Sequence, residues 1–349
     1  MNRILLLLCL PLFFTACKKD PPLTDTFPGE RKTFLSGVYV LNAGDADNAG
    51  SLTYFDKLTN TVTQNVYQSV NENTSVSGLS SGNISSNFLW FLQENENKIT
   101  LTDVNFLTET RVFTAFAEPR HVLTESEAEA YLAHGTDITG DSSYISKIDT
   151  TGSIETVFTV KKSGNKPLQS GNILYLPNGE INGLDSTLTL INTTADTLIG
   201  DSTLLAPNPV EIVEQSSGVI WILCAGFEDA ATEDAPGALI LLRNRTQDFA
   251  IELPPGARNL LISNDKQFLF YISDEKVYRQ PVESTNRETE IFIDRNFALM
   301  SIDPDEGFLY AAEATEDNQP ATIYRYNVTT GEEIFSFPGG INPVDFIFK

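Results

Sequence analysis

Short β-rich runs separated by polar turns recur along this chain from Ser36 to its end. The apolar positions alternate or cluster over strand lengths, and no stretch longer than about ten residues keeps a helical period. One strongly apolar run occurs seven times, beginning near residues 38, 88, 130, 173, 219, 268 and 308. Each copy is followed by a variable polar loop, a second strand, a tight turn and a third strand.

The remaining segments complete a four-strand repeat. Third strands are predicted at 62–67, 155–160 and 333–337, and weaker fourth strands between repeats at 210–213, 259–262 and 298–302. Four antiparallel strands repeated every 40 to 50 residues or so are typical of a β-propeller, with one sheet per blade. A single blade has two apolar faces to bury, so blades stack in a ring. We therefore predict an all-β, seven-bladed β-propeller over residues 36–349; a β-sandwich is the alternative, against which near-equal repeats argue.

The two ends of this region predict how the ring closes. Residues 343–349 read Pro-Val-Asp-Phe-Ile-Phe-Lys, a fourth-type strand with no partners after it. The first repeat has strands near 38, 51 and 62 but no such strand before them. We predict that the C-terminal strand joins the first blade, because this removes an open sheet edge.

The N-terminus has the pattern of an export signal. Arg3 precedes an apolar run over residues 4–14, and the small residues Thr15 and Ala16 are followed directly by Cys17. The run has the length of a signal-peptide core and is too short to span a bilayer. It resembles the lipobox of bacterial lipoproteins, which implies that Cys17 is acylated and becomes the new N-terminus. An ordinary secretory signal is the alternative.

The segment that follows predicts a tether and a location. Residues 18–32 are rich in proline and charge, with no apolar period, so residues 17–35 are predicted to be a lipidated flexible tether after a signal peptide at 1–16. Lys18-Lys19-Asp20 resembles short charged signals that send lipoproteins to the outer face of the outer membrane. We expect an outer-membrane, cell-surface lipoprotein; a periplasm-facing one is the alternative.

The net charge of the chain limits its possible partners. The formal net charge is −24, and it becomes −25 without residues 1–16, which contain one base and no acid. Such a chain repels nucleic-acid phosphates and anionic lipid surfaces, so neither is an expected partner.

Of the three cysteines, Cys9 is removed with the signal and Cys17 is lipidated. Cys224 then has no disulfide partner, and we expect it to be a small buried hydrophobe.

The loops after the seven apolar strands are strongly acidic. In a propeller these loops share one face with the inter-blade connections. They contain seventeen carboxylates and no Lys or Arg, whereas Lys57, Arg243, Arg245 and Arg287 fall in turns assigned to the opposite face. A proportional share of the bases would put roughly four in these loops. We predict one strongly negative face; general acidity of a polar-looped chain is the alternative.

Several polar residues could contact a ligand at that face. Arg and Asn in the inter-blade connections are suitable donors near the mouth of a central funnel, although Asn208-Pro209 and Asn342-Pro343 are equally explained as turns. The acidic stretch 45–50 partly matches a calcium loop but has Ala49 at its fifth position and Asp56 at its twelfth. The candidate ligand-binding residues are Asn42, Asp45, Gln93, Arg120, His121, His134, Asp137, Asp229, Arg258, Asn259 and Asn342.

Catalytic motifs are not found in the sequence. The two histidines have no metal-binding spacing, and there is no Gly-x-Ser-x-Gly motif or Cys/His cluster. We therefore expect a non-catalytic protein without a cofactor, in which Trp90 and Trp221 belong to the core. A hydrolase of lactonase or glycosidase type, using a carboxylate pair, is the alternative.

The repeats also carry a family resemblance. Val38-Tyr39-Val40-Leu41-Asn42 resembles the Tyr-Val-Thr-Asn repeat, residues 56–62 and 327–332 its strand–turn–strand signature, and residues 303–307 its Ser-Pro-Asp-Gly turn. The region 36–349 thus resembles YncE-like propellers. With the lipobox, the chain is similar to surface propeller lipoproteins that accompany TonB-dependent importers, some of which capture cobalamin. The resemblance implies capture of a small solute (corrinoid-like or glycan) or docking on a TonB-dependent receptor, with a protein–protein scaffold as a further alternative.

The lipobox predicts that membrane attachment depends on one sulfur atom. We expect Cys17→Ser to move the protein from the membrane fraction to the soluble fraction, because no thiol remains to be acylated. Cys9→Ser is the matched control and should stay with the membranes, since that residue is removed with the signal. Fractionation followed by immunoblotting measures both, and a Cys17→Ser protein that still sediments with outer membranes would contradict the lipoprotein prediction.

Overall fold

The computed structural model describes residues 32–72, 74–135, 142–161, 165–179, 185–203, 206–227, 235–316 and 318–349. Over these ranges the chain forms 28 strands, one short helix, α1 (Val66–Val70), and one 3₁₀ turn, Glu94–Glu96. The described strands make seven four-stranded sheets arranged as a ring. The predicted all-β, seven-bladed propeller is therefore confirmed.

Each blade has an inner, a second, a third and an outer strand, and the inner strand of blade 1 is the last strand of the chain. Blades 1 to 3 contain β1 (Gly37–Asn42), β2 (Ser51–Asp56), β3 (Thr61–Thr63), β4 (Leu79–Ile84), β5 (Phe88–Gln93), β6 (Lys98–Asp103), β7 (Glu109–Phe113), β8 (Pro119–Thr124), β9 (Glu129–Gly135), β10 (Ser142–Asp149) and β11 (Ile154–Lys161). Blades 4 and 5 contain β12 (Leu168–Ser170), β13 (Ile173–Pro177), β14 (Thr187–Asn192), β15 (Thr197–Thr203), β16 (Pro209–Ser216), β17 (Val219–Cys224), β18 (Gly237–Arg243) and β19 (Thr246–Leu253). Blades 6 and 7 contain β20 (Arg258–Ile262), β21 (Phe268–Ser273), β22 (Lys276–Pro281), β23 (Ile291–Ile293), β24 (Phe297–Ile302), β25 (Phe308–Glu313), β26 (Pro320–Asn327) and β27 (Glu333–Ile341), and β28 (Pro343–Phe348) completes blade 1.

The inner strands surround the central channel. Contacts between inner strands of neighbouring blades run from β12 through β16, β20, β24, β28 and β4 to β8. The seven apolar runs of the sequence are the second strands, which pair on both sides and are the most buried part of each blade. Their uninterrupted apolar character follows from this position, because both faces of the strand pack against a neighbouring blade.

The hydrophobic core lies between blades rather than within them. Tyr39 and Leu41 of blade 1 pack with Leu89 and Phe91 of blade 2, and similar clusters join the other neighbouring blades. Each large apolar side chain buried in this way contributes about 1.5–3 kcal/mol. Trp90 and Trp221 are buried as predicted. Cys224 is a buried free cysteine, and burial raises the pKa of its thiol to about 12.

The C-terminal strand closes the ring as predicted. β28 pairs antiparallel with β1, so that Val38 faces Phe348 and Val40 faces Phe346. The backbones of Gly37 and Lys349 exchange two hydrogen bonds of 2.9 Å. The Lys349 ammonium donates to the Val104 carbonyl at 2.6 Å, which fastens the last residue to blade 2. The C-terminal strand therefore contributes to the structure of blade 1 and to the contact between blades 1 and 2.

A buried ion pair joins blade 1 to blade 7 near the turns opposite the channel mouth. The Lys57 ammonium lies 2.7 Å from the Asp303 carboxylate, and both side chains are buried. The other Asp303 oxygen accepts backbone N–H groups of Asp305 and Glu306. Removing one partner of such a pair costs about 3–5 kcal/mol, because an uncompensated buried charge remains.

Two details differ from the sequence prediction. The third strand predicted at 62–67 is wrong: β3 ends at Thr63, Asn65 is left-handed (φ 51°), and α1 begins at Val66. Val66 and Tyr67 are buried in the core between blades 1 and 2, and this burial outweighs further strand pairing. Phe34, which was assigned to the tether, is also buried in that core.

Stability is expected to depend on the C-terminal strand. Deleting residues 343–349 leaves β1 with an unpaired edge and exposes apolar surface, so we expect a lower melting temperature or aggregation. Circular dichroism and calorimetry on both proteins measure the effect. Leu58→Ser, at an exposed position of the β2–β3 turn, is the control and should melt like the wild type. Equal melting of the truncated and full-length proteins would contradict the closure of blade 1 by β28.

Candidate functional site

Two sets of loops emerge at one end of the ring. Because neighbouring strands are antiparallel, the loops between second and third strands lie at the same end as the connections into the next inner strand. We call this end the loop face; in the described residues it comprises 43–50, 94–97, 178–179, 185–186, 225–227, 235–236, 274–275, 314–316 and 318–319, with the connections 64–72, 74–78, 114–118, 165–167, 206–208, 254–257, 294–296 and 342. It surrounds one mouth of the channel.

The loop face is acidic where the structure describes it. Nine of the seventeen loop carboxylates are described, and all nine reach solvent at least in part: Asp45, Asp47, Glu94, Glu96, Asp185, Asp274, Glu275, Glu313 and Glu316. Three of these nine have a basic partner: Glu94 pairs with Arg120, Asp185 with Lys161, and Asp274 with Arg287. Arg287 was expected at the opposite face, but its guanidinium reaches the Asp274 carboxylate at 3.7 Å.

Arg120 is held between two carboxylates at the channel mouth. Its Nε donates to Glu94 Oε1 at 3.1 Å and its Nη2 to Glu118 Oε2 at 2.6 Å. The Arg120 side chain is 15 % exposed, whereas Glu94 and Glu118 are 37 % and 38 % exposed. The guanidinium is thus largely buried and held by two ion pairs, whereas the two carboxylates are partly exposed to solvent. We call these three residues the Arg120 cluster.

Local backbone geometry places the Arg120 cluster. Glu118 is left-handed (φ 44°) and its N–H donates to Asn97 Oδ1 at 2.7 Å. A register shift between Pro119 and His121 leaves Arg120 as an extra residue in β8, and a bulge of this kind redirects a side chain. Gly135 makes room for the neighbouring carboxylate, because a Cβ there would lie 2.5 Å from Glu118 Oε2.

Three other predicted residues lie in the same sector with structural contacts. His134 is 9 % exposed; its Nε2 lies 2.9 Å from Ser146 Oγ, and burial lowers the pKa of its imidazole. Gln93 is buried, and its Nε2 donates to Glu96 Oε2 at 2.8 Å. His121 is half-buried in β8. Glu118 was not among the predicted residues, because its contact with Arg120 depends on the folded connection between β7 and β8.

A second polar cluster joins the inner strands of blades 5, 6 and 7. Arg258 Nη2 donates to Asn296 Oδ1 at 2.9 Å and to the Phe297 carbonyl at 3.0 Å. The side chain of left-handed Asn259 (φ 65°) accepts the Met300 N–H. Two residues expected to be ligand donors are therefore engaged in holding blades together.

Glu211 belongs to this second cluster. The residue as a whole is half-buried, but its carboxyl group is enclosed between β16 and β20 and accepts the Leu260 N–H. Burial raises the pKa of this carboxyl to about 7, against the lowering effect of backbone hydrogen bonds and Arg258. It is the one carboxyl of the described residues with a raised pKa.

The remaining predicted residues are also accounted for by the fold. Asn42 is buried and its Oδ1 accepts the Gly340 N–H at 3.0 Å, linking blade 1 to the end of blade 7. Asn342 is left-handed (φ 54°), and its carbonyl accepts the Ala43 N–H at 2.8 Å. Asp45 caps its own turn, accepting two backbone N–H groups at 2.8 Å. Cys17, Asp137 and Asp229 lie outside the described residues.

The described residues contain neither a metal-binding cluster nor a membrane-spanning helix. Over the described ranges no three His, Cys, Asp or Glu side chains are grouped so as to hold a metal ion. No helix among the described residues is long and apolar enough to cross a bilayer. In the stretch 45–50, which partly matches a calcium loop, the Asp45 carboxylate accepts hydrogen bonds from the Asp47 N–H and the Asn48 side chain.

The comparisons identify the fold. No family model and no curated protein sequence matches the chain. Among solved structures it is similar to a quinonprotein alcohol dehydrogenase-like protein from Bacteroides thetaiotaomicron (TM-score 0.66, 13% identity, covering 90% of this chain and 78% of that one). It is also similar to hydrazine synthase of Kuenenia stuttgartiensis (TM-score 0.62, 13% identity, 85% and 97%) and to a protein from Lactobacillus plantarum (TM-score 0.60, 14% identity, 90% and 100%). At these identities the likeness shows a shared fold.

The enclosed carboxyl of Glu211 predicts a pH dependence of stability. Its pKa is about 7 in the folded protein and near 4.5 when unfolded, so the folded state binds more protons between these values. Stability contributed by this group therefore falls as pH rises from 4.5 to 7, by about 1–3 kcal/mol. We expect Glu211→Gln to remove this part of the slope in chemical-denaturation curves recorded at pH 5 and pH 8. Parallel profiles for wild type and Glu211→Gln would contradict an enclosed carboxyl.

Proposed function

We propose that this protein is a lipid-anchored, non-catalytic binding module at the outer membrane, which captures a small polar solute at the loop face. The seven-bladed propeller is a rigid ring with one acidic mouth, and the lipobox-like N-terminus supports attachment through Cys17. The resemblance to YncE-like propellers beside TonB-dependent importers supports delivery of the solute to such a receptor, and the same face could dock on it.

The Arg120 cluster is the observation that carries this proposal. One guanidinium fixes two half-exposed carboxylates side by side, and these present neighbouring hydrogen-bond acceptors. This arrangement suits neighbouring hydroxyl or amide groups, which each donate and accept. A strand bulge at Arg120 and the left-handed residue Glu118 hold the cluster in place, so its side chains lose little conformational freedom when a ligand binds.

Charge limits the class of solute. The described loop carboxylates outnumber their basic partners, so an anionic ligand would be repelled at the mouth. Neutral hydroxyl-rich glycans and amide-rich, corrinoid-like molecules carry the groups that the Arg120 cluster can bind. We therefore favour a neutral or cationic solute of these kinds.

Binding is favoured over hydrolysis by where the titratable groups lie. A carboxylate-pair hydrolase needs one accessible acid whose pKa is raised, next to an ionised partner. Glu211 has the raised pKa, but its carboxyl group is enclosed between two inner strands and accepts a backbone N–H. This position fits a structural link between blades.

Ligand titrations with matched variants test the proposal. Cyanocobalamin and a panel of neutral oligosaccharides are titrated by calorimetry into wild type, Arg120→Gln and Arg243→Gln. We expect saturable binding of one class, weakened about tenfold or more by Arg120→Gln, since lost hydrogen bonds to a charged group cost about 1.5–3 kcal/mol. Arg243 lies in an exposed ion pair with Asp248 at the opposite face, so its variant should bind like the wild type.

The outcomes separate the alternatives. Equal binding by all three proteins would remove the Arg120 cluster from the proposal. Turnover of an oligosaccharide would favour the hydrolase alternative, and binding of no solute together with co-purification of a receptor would favour a scaffold. Circular dichroism of Arg120→Gln checks that any loss is not a loss of fold.

A further inference from the structure

A separate pocket lies between blades 6 and 7, at the end of the ring opposite the loop face. It has a volume of about 310 Å³ and includes the start of β21, the end of β22 and the turn between β26 and β27 in its lining. Its walls are the rings of Phe268 and Phe292 and the side chain of Ile291. Arg279, Glu288 and Glu290 are the charged residues of the lining. Both charges and apolar surface are thus available within one small cavity.

The guanidinium of Arg279 lies over two aromatic rings in this pocket. Its central carbon lies 4.9 Å from the Phe268 ring centroid and 4.6 Å from that of Phe292. Its Nη1 donates to the Thr329 carbonyl of blade 7 at 2.6 Å. Among the described residues no carboxylate forms an ion pair with Arg279. The remaining N–H groups therefore have no anionic partner within the described structure.

The next blade contains the same arrangement with such a partner. Arg325 of β26 lies opposite Tyr310, as Arg279 lies opposite Phe270, and its guanidinium carbon is 3.8 Å from the Phe308 ring centroid. Here Nη2 donates to Glu306 Oε2 at 2.8 Å. Glu306 stands two residues before Phe308 in the turn that precedes β25. Blade 7 thus supplies its own carboxylate to the stacked arginine.

Blade 6 has the opposite charge at that position. Its corresponding turn reads Ser263-Asn264-Asp265-Lys266, and Lys266 stands two residues before Phe268. The lysine is exposed and left-handed (φ 61°). Blade 6 therefore has no carboxylate at the sequence position where blade 7 provides one. A guanidinium that lies over aromatic rings and has no carboxylate partner is well suited to bind the carboxylate of a ligand.

We propose that this pocket binds a free apolar α-amino acid. The carboxylate of the ligand forms an ion pair with Arg279, as the carboxylate of Glu306 does with Arg325. Its ammonium group faces Glu288 and Glu290, and its side chain lies against the rings of Phe268 and Phe292. The backbone of Glu288 is fixed for this role, because its N–H donates to Gln280 Oε1 at 2.8 Å. The cavity has the size for one such molecule.

Three probes test the chemistry of the ligand. L-phenylalanine, 3-phenylpropionate and phenethylamine are titrated into the full-length protein by calorimetry; the second lacks the ammonium group and the third lacks the carboxylate. We expect saturable binding of L-phenylalanine and binding weaker by about tenfold or more for each analogue. No saturable binding of L-phenylalanine at millimolar concentration would overturn the proposal, as would equal binding of phenethylamine.

Two variants test the place of binding. Arg279→Gln should abolish binding of L-phenylalanine. Lys266→Glu supplies the carboxylate that blade 7 has, so it should also block binding while leaving the melting temperature unchanged or higher. Lys276→Gln, which removes an exposed ion pair with Asp294 at the other end of blade 6, is the control and should bind like the wild type. Wild-type affinity in Lys266→Glu would overturn the assignment of this pocket, even if Arg279→Gln failed to fold.

Discussion

The structure depends on how the inner strands are joined to each other around the channel. Each inner strand pairs with its own blade on one side only, so its other edge has backbone groups without a strand partner. Polar side chains from the neighbouring blade satisfy several of them. The Asp345 carboxylate accepts the Gly82 N–H at 3.0 Å, Glu211 accepts that of Leu260, and Asn259 that of Met300. These bonds hold neighbouring blades in register at the channel.

This requirement determines which polar residues remain for function. Arg258 and Asn259 have the chemistry of ligand donors, yet both are engaged between blades. The Arg120 cluster lies at the equivalent level of the ring but keeps two half-exposed carboxylates. A bulge at the start of the inner strand occurs in both regions, so the same backbone device supports a structural link in one blade and an accessible polar cluster in another.

Blades 6 and 7 differ in a similar way in the surroundings of one arginine. Blades 6 and 7 share an arginine stacked on a phenylalanine from the neighbouring strand, but one blade has Glu306 beside it and the other has Lys266. Arg325 pairs with Glu306 inside blade 7, whereas Arg279 has no carboxylate partner among the described residues.

The sequence by itself determined the seven-bladed ring, its closure by residues 343–349 and the burial of Trp90 and Trp221, because apolar period and repeat length are local properties that recur along the chain. It did not determine that β3 stops at Thr63, since burial of the following residues between two blades outweighs local strand preference. It also could not show that Glu118 meets Arg120 or that Glu211 is enclosed. A left-handed residue and a strand bulge decide the first pairing, between residues two positions apart. The second joins residues 49 positions apart on neighbouring inner strands, which only the packing of blade 5 against blade 6 brings together.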